Sequence, residues 1–327
     1  MSFLLADAYL HTMDPFAIEL SDGWGLRWYG LSYAFGFVIG WLITRWLARN
    51  HRILIPLQTV GDYMVYLIVG VVVGGRLGYV LFYHPEYLFQ FTADIPFWEV
   101  LAFNRGGMAS HGGIIGVLLA SALFGLKRQI SPWHVIDVSA FICPAGLFLG
   151  RIANFINGEL WGKALPDSAG KPWWSIQYPQ EIYQGHIDLE PLREVIPGEL
   201  GFNDRVIELA NQGDPQVTVY LQEQLTAFYP SQIIQAISDG PILIAVLAIV
   251  WLVPRKPGII SGTFLLTYGI LRIFTELFRQ ADDGIAVIAG LQRGQLLSVL
   301  MIVCGVFILA YCSLRPTERV GGLLKTK

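Results

Sequence analysis

The sequence predicts an all-α polytopic membrane protein: seven transmembrane helices with a small periplasmic head domain, N-terminus outside, C-terminus cytoplasmic. Three observations predict it. Hydrophobic residues make up 54% of the 327-residue chain and charged residues 14%, whereas soluble domains carry about 25% charged residues. Seven stretches of about 20 mostly apolar residues match the thickness of a bilayer. Basic residues also collect in alternate loops, the pattern that fixes orientation in membranes.

Taken in order, the N-terminal segment 1–27 lacks the basic start of a secretory leader and carries Asp7, Asp14, Glu19 and Asp22. It reads as a retained segment along the periplasmic interface. Apolar stretches follow at 28–48, 61–83, 107–126 and 132–157, placing four helices in 28–157. Three more, at 231–253, 259–279 and 291–313, lie in 231–313. The polar segment 158–230 between the two groups is too long and too charged for a turn, so it reads as the head. Within it, 183–226 is acidic and partly helical in pattern. Residues 314–327 form the tail.

Orientation follows from Arg45, Arg49 and Arg52, from Lys127 and Arg128, and from Arg255 and Lys256, in three short loops. With Arg315, Arg319, Lys325 and Lys327 of the tail, these segments hold half of the 22 basic residues and a single acidic one, Glu318. That side is therefore cytoplasmic, and an odd number of spans leaves the N-terminus outside.

Composition also excludes some functions. A net charge of −3 gives no reason to expect nucleic acid as a partner. Cys143, Cys304 and Cys312 lie in apolar runs without metal-ligand spacing, so neither a metal nor a disulfide framework is expected. No phosphate loop of the GxxxxGK type is present, and no cofactor is expected. An internal repeat of the kind many transporters carry is missing.

Polar residues converge on one depth. Arg76 lies about 22 Å from the cytoplasmic end of the second stretch at 1.5 Å per residue, with Tyr79 and Tyr83 on its stripe. In the sixth, "YGILRIFTELFR" spaces Tyr268, Arg272, Glu276 and Arg279 for one narrow helical face. Arg151, Asn154 and Gly158 share a face at the outer end of the fourth. "RGGMASHGGIIG" puts His111 near the outer start of the third, and Arg27, Trp28 and Tyr29 open the first. Each has a plainer reading. Arg27 and Trp28 could be an interfacial anchor, Arg151 could snorkel, Glu276 could neutralise Arg272 or Arg279, and Gly112 and Gly116 could be packing glycines. Taken together, Arg76, Arg151, Arg272 and Arg279 outnumber Glu159 and Glu276. Surplus guanidinium in a half-buried cavity implies an anionic ligand, phosphate above all. A phosphate reached from within the outer leaflet belongs to a phospholipid head group. On these residues alone, a lipid-using enzyme and a transporter or channel for an anionic solute stay level, with a non-catalytic assembly protein as a third reading.

"HGGIIG", "GRIANFINGELWG" and "YGILRIFTELFR", together with "RWYGLSYAFGF" and "GRLGYVLFY", resemble the prolipoprotein diacylglyceryl transferase family of the bacterial inner membrane. The resemblance covers all seven stretches. It implies transfer of the diacylglyceryl group of phosphatidylglycerol to the cysteine thiol of a prolipoprotein signal peptide, giving a thioether and glycerol phosphate. It also implies functional roles for Tyr29, His111, Arg151, Asn154, Glu159, Gly162, Tyr268 and Arg272, with Gly106, Gly107, Asn157, Glu276 and Arg279 in support. Arg76 joins the lipid-binding set by its depth. The sequence departs from the family's pattern at "YPSQIIQA", 229–236, where Tyr229 replaces a common histidine and Gln235 a common glutamate. Neither is assigned a role.

The expected chemistry is an alkyl transfer in which the substrate supplies the nucleophilic cysteine. Arg151 and Arg272 take the phosphate, and Asn154 and Tyr268 orient it. His111 is the expected base, since its ordinary pKa lies near neutrality.

Overall fold

The computed structural model describes residues 8–21, 24–93, 95–102, 106–198, 200–280 and 293–324. Asp7, Asp22, Lys325, Lys327 and the first two residues of the predicted seventh span lie outside them. Among the described residues the structure is mostly helical, and its strands form two two-stranded sheets, neither of them closed.

Among the described residues six helices are long and apolar enough to cross a membrane: Trp28–Arg49, Leu57–Tyr83, Pro132–Ile156, Ser231–Val250, Ile259–Phe278 and Gln295–Leu314. We label the α-helical parts α1 (Trp28–Arg49), α2 (Val60–Tyr83), α3 (Ser110–Lys127) and α4 (Pro132–Ile156). After the short helices α5 (Glu190–Arg193), α6 (Phe202–Asn211) and α7 (Pro215–Gln224) come α8 (Ser231–Ile237), α9 (Leu243–Val250), α10 (Ile259–Thr275) and α11 (Arg293–Leu314). The third expected span is α3, with 18 residues or about 27 Å, shorter than the others. It starts at Ser110 rather than at 107 because Gly106 and Gly107 both take φ of 79°, outside helical geometry.

Two compact units make up the chain. One comprises Met1–Ala34, Leu147–Pro241 and Gly269–Val299; the other comprises Phe35–Gly146, Ile242–Tyr268 and Leu300–Lys327.

In the second unit a glycine seam joins α2 to α3. A Cβ at Gly116 would lie 1.9 Å from the Gly70 carbonyl oxygen, and one at Gly112 would lie 2.2 Å from that of Gly74. Only hydrogen atoms fit there, so the backbones touch and dispersion replaces side-chain packing. Gly112 and Gly116 of "HGGIIG" are thus packing residues, as their plainer reading had it. Asp137 of α4 caps α10 from outside: its carboxylate accepts the Gly258 and Ser261 amide N–H groups, each at 2.7 Å. It thereby satisfies donors that a helix start leaves open. Nearby, Tyr63, Ser121 and Ser139 form a buried hydroxyl cluster, with Tyr63 Oη 2.5 Å and Ser121 Oγ 2.7 Å from Ser139 Oγ.

In the first unit, β1 (Tyr9–Leu10) pairs in parallel with β4 (Ile176–Gln177). β2 (Phe16–Ser21) pairs antiparallel with β3 (Trp24–Arg27). The acidic stretch 183–226 folds as α5–α7 around its own apolar core, in which Leu192, Phe202, Val206, Val217, Leu221 and Leu225 are buried with Leu10 and Ile182. Each such side chain contributes about 1.5–3 kcal/mol on burial, which explains how a segment so polar overall holds a fixed shape. Asp214 caps α7 by accepting from the amides of Gln216 and Val217.

The seam yields a test. Gly116→Ala should destabilise the protein by about 1–3 kcal/mol through overpacking, read as a lower unfolding temperature in detergent. Gly113→Ala should leave it unchanged, because the nearest atom to a Cβ there is 3.8 Å away. Equal behaviour of the two variants would show that the seam is not tight.

Candidate active site

The turn after α4 organises the first unit's polar residues. α4 ends at Ile156, and Gly158 takes φ of 64°, the left-handed cap that stops a helix. Chain reversal brings the Glu159 carboxylate back over the last helical turn. There Asn154 donates to one oxygen and Asn157 to the other, each at 3.3 Å. Leu160 then holds φ of 58°, a conformation costly for a residue with a Cβ.

Side chains from α8 hold that turn in place. Ser231 donates to the Leu160 carbonyl at 2.8 Å, and Gln232 donates to the Glu159 carbonyl at 2.5 Å and to Tyr178 Oη at 2.9 Å. Both are buried. Trp161 stacks on Tyr178 with ring centroids 4.7 Å apart and donates from Nε1 to the Gly158 carbonyl at 2.7 Å. Gly162 sits where backbone meets backbone, since a Cβ there would be 2.1 Å from the Tyr229 carbonyl oxygen. Residues 161–163 are laced to 278–280 through Lys163 N–H to the Phe278 carbonyl (2.9 Å) and Gln280 N–H to the Trp161 carbonyl (3.2 Å).

Those bonds attach the signature turn to the end of α10. There Glu276 receives both neighbouring arginines, Arg272 at 3.3 Å and Arg279 at 3.8 Å. All three side chains are mostly buried. The straight α-helical projection of Tyr268, Arg272, Glu276 and Arg279 onto one face does not hold to its end. α10 stops at Thr275, Glu276–Phe278 tightens into a 3₁₀ turn, and Arg279 is extended. Pairing survives because the separation of three residues suits the tighter turn.

Arg151 uses its Nε–H to reach Asp239 Oδ2 at 3.1 Å, and the Asp239 side chain is fully buried. Asp239 alters the expected charge balance. Within this unit Arg151 pairs with Asp239 while Arg272 and Arg279 share Glu276, so Asp239 reduces the surplus of positive charge that the sequence count implied.

The second unit holds Arg76, Gly106, Gly107, His111 and Tyr268. Arg76 is buried and its guanidinium is ringed by carbonyls. Nε donates to Val100 (2.9 Å), Nη1 to Gly106 (2.5 Å) and Gly107 (3.2 Å), and Nη2 to Glu99 (2.5 Å). A Cβ at Gly107 would fall 2.4 Å from the Tyr79 ring. A cavity of about 200 Å³ beside it is lined by Arg76, Tyr79, Tyr87, Gln90, Glu99 and Gly106. Here Arg76 organises the loop that leads to α3. His111 is half-buried in the first turn of α3, and Tyr268 stacks on Phe264 at 5.6 Å. Tyr29, the second residue of α1 and part of the first unit, lies against Tyr33 at 5.4 Å.

The family model described as Prolipoprotein diacylglyceryl transferase matches residues 15–311. The chain belongs to the prolipoprotein diacylglyceryl transferase family. It is 37% identical to a phosphatidylglycerol–prolipoprotein diacylglyceryl transferase of Bdellovibrio bacteriovorus, with 96% of each chain covered. Relatives of the same name in Rhodospirillum centenum and Xylella fastidiosa are each 36% identical, covering 94% of both chains and 92% and 93% respectively.

Two residues of this transferase escaped sequence reasoning. Asp239 had a usable signal, since a carboxylate inside an apolar helix needs a partner. His11 had none. It is buried, and its Nε2–H donates to the Phe155 carbonyl at 2.6 Å, bracing the signature turn. Its Nδ1 is then the unprotonated nitrogen and has no hydrogen-bond partner among the described residues.

Burial lowers the His11 pKa below its ordinary value, against the opposing effect of the Phe155 hydrogen bond. As pH falls through about 6.5, the ordinary histidine value, the unfolded chain therefore takes the proton before the folded one does. The folded state loses stability over that window. Unfolding temperature should decline less on acidification in His11→Gln than in the wild type. Parallel declines would remove His11 from the account.

Proposed function

We propose that this protein transfers the diacylglyceryl group of phosphatidylglycerol to the cysteine thiol of a prolipoprotein signal peptide, the first step of lipoprotein maturation. Membership of the family across nearly the whole chain carries the reading. The buried arginines of α4 and α10 supply its chemistry. The transporter alternative has no observation in its favour.

In the transfer, the substrate thiol loses its proton and its sulfur attacks the glyceryl carbon that bears the phosphate ester. A carbon–sulfur bond forms and the carbon–oxygen bond breaks. The electron pair leaves with glycerol phosphate. Departure requires stabilisation of the charge growing on phosphate oxygen, which fixed guanidinium groups supply in a site shielded from water. We assign Arg151 and Arg272 to that phosphate, and Asn154 and Tyr268 to its orientation. Glu159 and Asn157 form the rim of the same turn, with Tyr29 assigned beside them. Glu276 and Arg279 set the position of Arg272. Gly162 lets the strand pass Tyr229. Arg76 acts through the loop carrying Gly106 and Gly107. His111 takes the thiol proton, a task suited to a group whose ordinary pKa lies near the working pH.

This reading includes α3 as a seventh span, with the N-terminus and the 158–230 head on the periplasmic side of the inner membrane and the C-terminus in the cytoplasm. The asymmetric distribution of basic residues supports that orientation. Both substrates then reach the site from the outer leaflet.

Purified protein mixed with phosphatidylglycerol vesicles and a peptide carrying the signal-peptide cysteine should yield the diacylglyceryl-modified peptide by mass spectrometry. An unmodified peptide under these conditions would sink the reading. Arg151→Lys should lose about 100-fold or more in turnover, because a point charge cannot reproduce the planar fork. His111→Gln should lose about 100-fold near neutral pH; wild-type turnover there would remove its role as base.

A further inference from the structure

The fifth apolar helix is not α-helical throughout. α8 passes into a π-helical turn over Ser238–Ile242, with Pro241 inside it, before α9 resumes at Leu243. Proline has no amide hydrogen to give, and the wider turn accommodates the missing rung. Turns of this kind concentrate at functional sites. This one carries Asp239.

Close packing ties the turn to α4. A Cβ on Gly240 would come within 2.6 Å of Phe148 Cβ, so the two backbones approach where only glycine fits. Phe148 lies one helical turn before Arg151. Asp239 Oδ2 accepts from Arg151 Nε at 3.1 Å, and Asp239 Oδ1 accepts from Ser238 Oγ at 3.2 Å. The carboxylate thus has a partner on each oxygen and is fully buried. A single removed partner would leave a buried charge uncompensated, so neither side chain is free to turn.

The transfer chemistry assigned above makes no use of Asp239. Its geometry nevertheless bears on Arg151, because a guanidinium is planar. A bond at Nε fixes the direction of one edge of the fork and leaves only rotation about that bond to settle. We propose that Asp239 is a positioning residue: it holds Arg151 by Nε and thereby aims the opposite edge of the fork at the phosphate of phosphatidylglycerol. This rests on the assignment of Arg151 to that phosphate. Charge on the phosphate grows as the carbon–oxygen bond breaks, so a misaimed fork raises the barrier more than it weakens ground-state binding. Loss of Asp239 should therefore appear in kcat rather than in KM for the lipid.

The experiment is a double-mutant cycle on the full-length protein in mixed micelles of phosphatidylglycerol, with the cysteine peptide as acceptor. Asp239→Ala, Arg151→Lys and the double variant are measured, each corrected for its folded fraction by thermal unfolding. Asp239→Ala should lower kcat about 100-fold, the scale of losing one preorganised donor, with KM changed less than about threefold. The double variant should be no slower than Arg151→Lys, since Asp239 acts only through the fork. Multiplicative losses, or wild-type kcat per folded Asp239→Ala molecule, overturn the proposal. Should the alanine variant fail to fold, Asp239→Asn takes its place, because its oxygen can still accept from Nε. It should keep kcat within about tenfold of wild type in the Arg151 background and add nothing in the Lys background, again read as a cycle. Wild-type turnover by Arg151→Lys alone removes the phosphate assignment beneath the proposal, whereas an impaired Arg151→Lys with multiplicative losses removes only the role of Asp239.

Discussion

Charge inside an apolar medium needs a counter-charge or a shell of dipoles, and the long helices answer that constraint in three ways. Arg151 meets the fully buried Asp239. Arg272 and Arg279 divide one carboxylate, Glu276. Arg76 donates to backbone carbonyls of a single loop. The difference matters chemically. A carboxylate that shares a guanidinium sets its direction and offsets its charge, and an incoming phosphate competes with it for the same donors. Carbonyl oxygens that each take a hydrogen bond fold a loop and commit the side chain to that task.

The turn between α4 and the head carries one carboxylate, Glu159, held by Asn154 and Asn157. Gly158 reverses the chain, Leu160 bears backbone strain, and Gly162 passes within contact of Tyr229. Such a path is held only by bonds from elsewhere, which Ser231, Gln232 and Trp161 provide. The stretch where the sequence departs from its family's pattern is therefore also the stretch that clamps the signature turn. Tyr229 contributes its carbonyl at Gly162 and its amide to the Lys163 carbonyl, and any residue but proline could make both contacts. That explains why a change of side chain at 229 is compatible with the backbone contacts.

The spans were legible because runs of about 20 apolar residues have one cheap fate near a bilayer. α1 and α4 fall within one residue of their expected limits at each end. Less of the site could be read. The face shared by Arg272 and Glu276 was visible in the helical spacing, but the tightening at Glu276 was not, since nothing in "TELFR" marks a helix end. Arg76 was taken for a lipid contact on depth alone, whereas its partners come from a loop whose path the sequence does not reveal. Asp239 stands in an apolar run beside a glycine and a proline, and a lone carboxylate in that setting signals a buried partner. His11 lies 144 residues from the carbonyl it holds, and no local pattern can foretell so distant a contact. The acidic stretch 183–226 was read as partly helical, and the apolar positions within α6 and α7 account for that.

One consequence of the glycine contact between α2 and α3 concerns traffic rather than stability. Where a carbonyl oxygen occupies the space a methyl group would need, no hydrocarbon tail can slip between the two backbones. Where Gly70, Gly74 and Gly78 meet Gly112 and Gly116, the two helices leave no opening wide enough for an acyl tail.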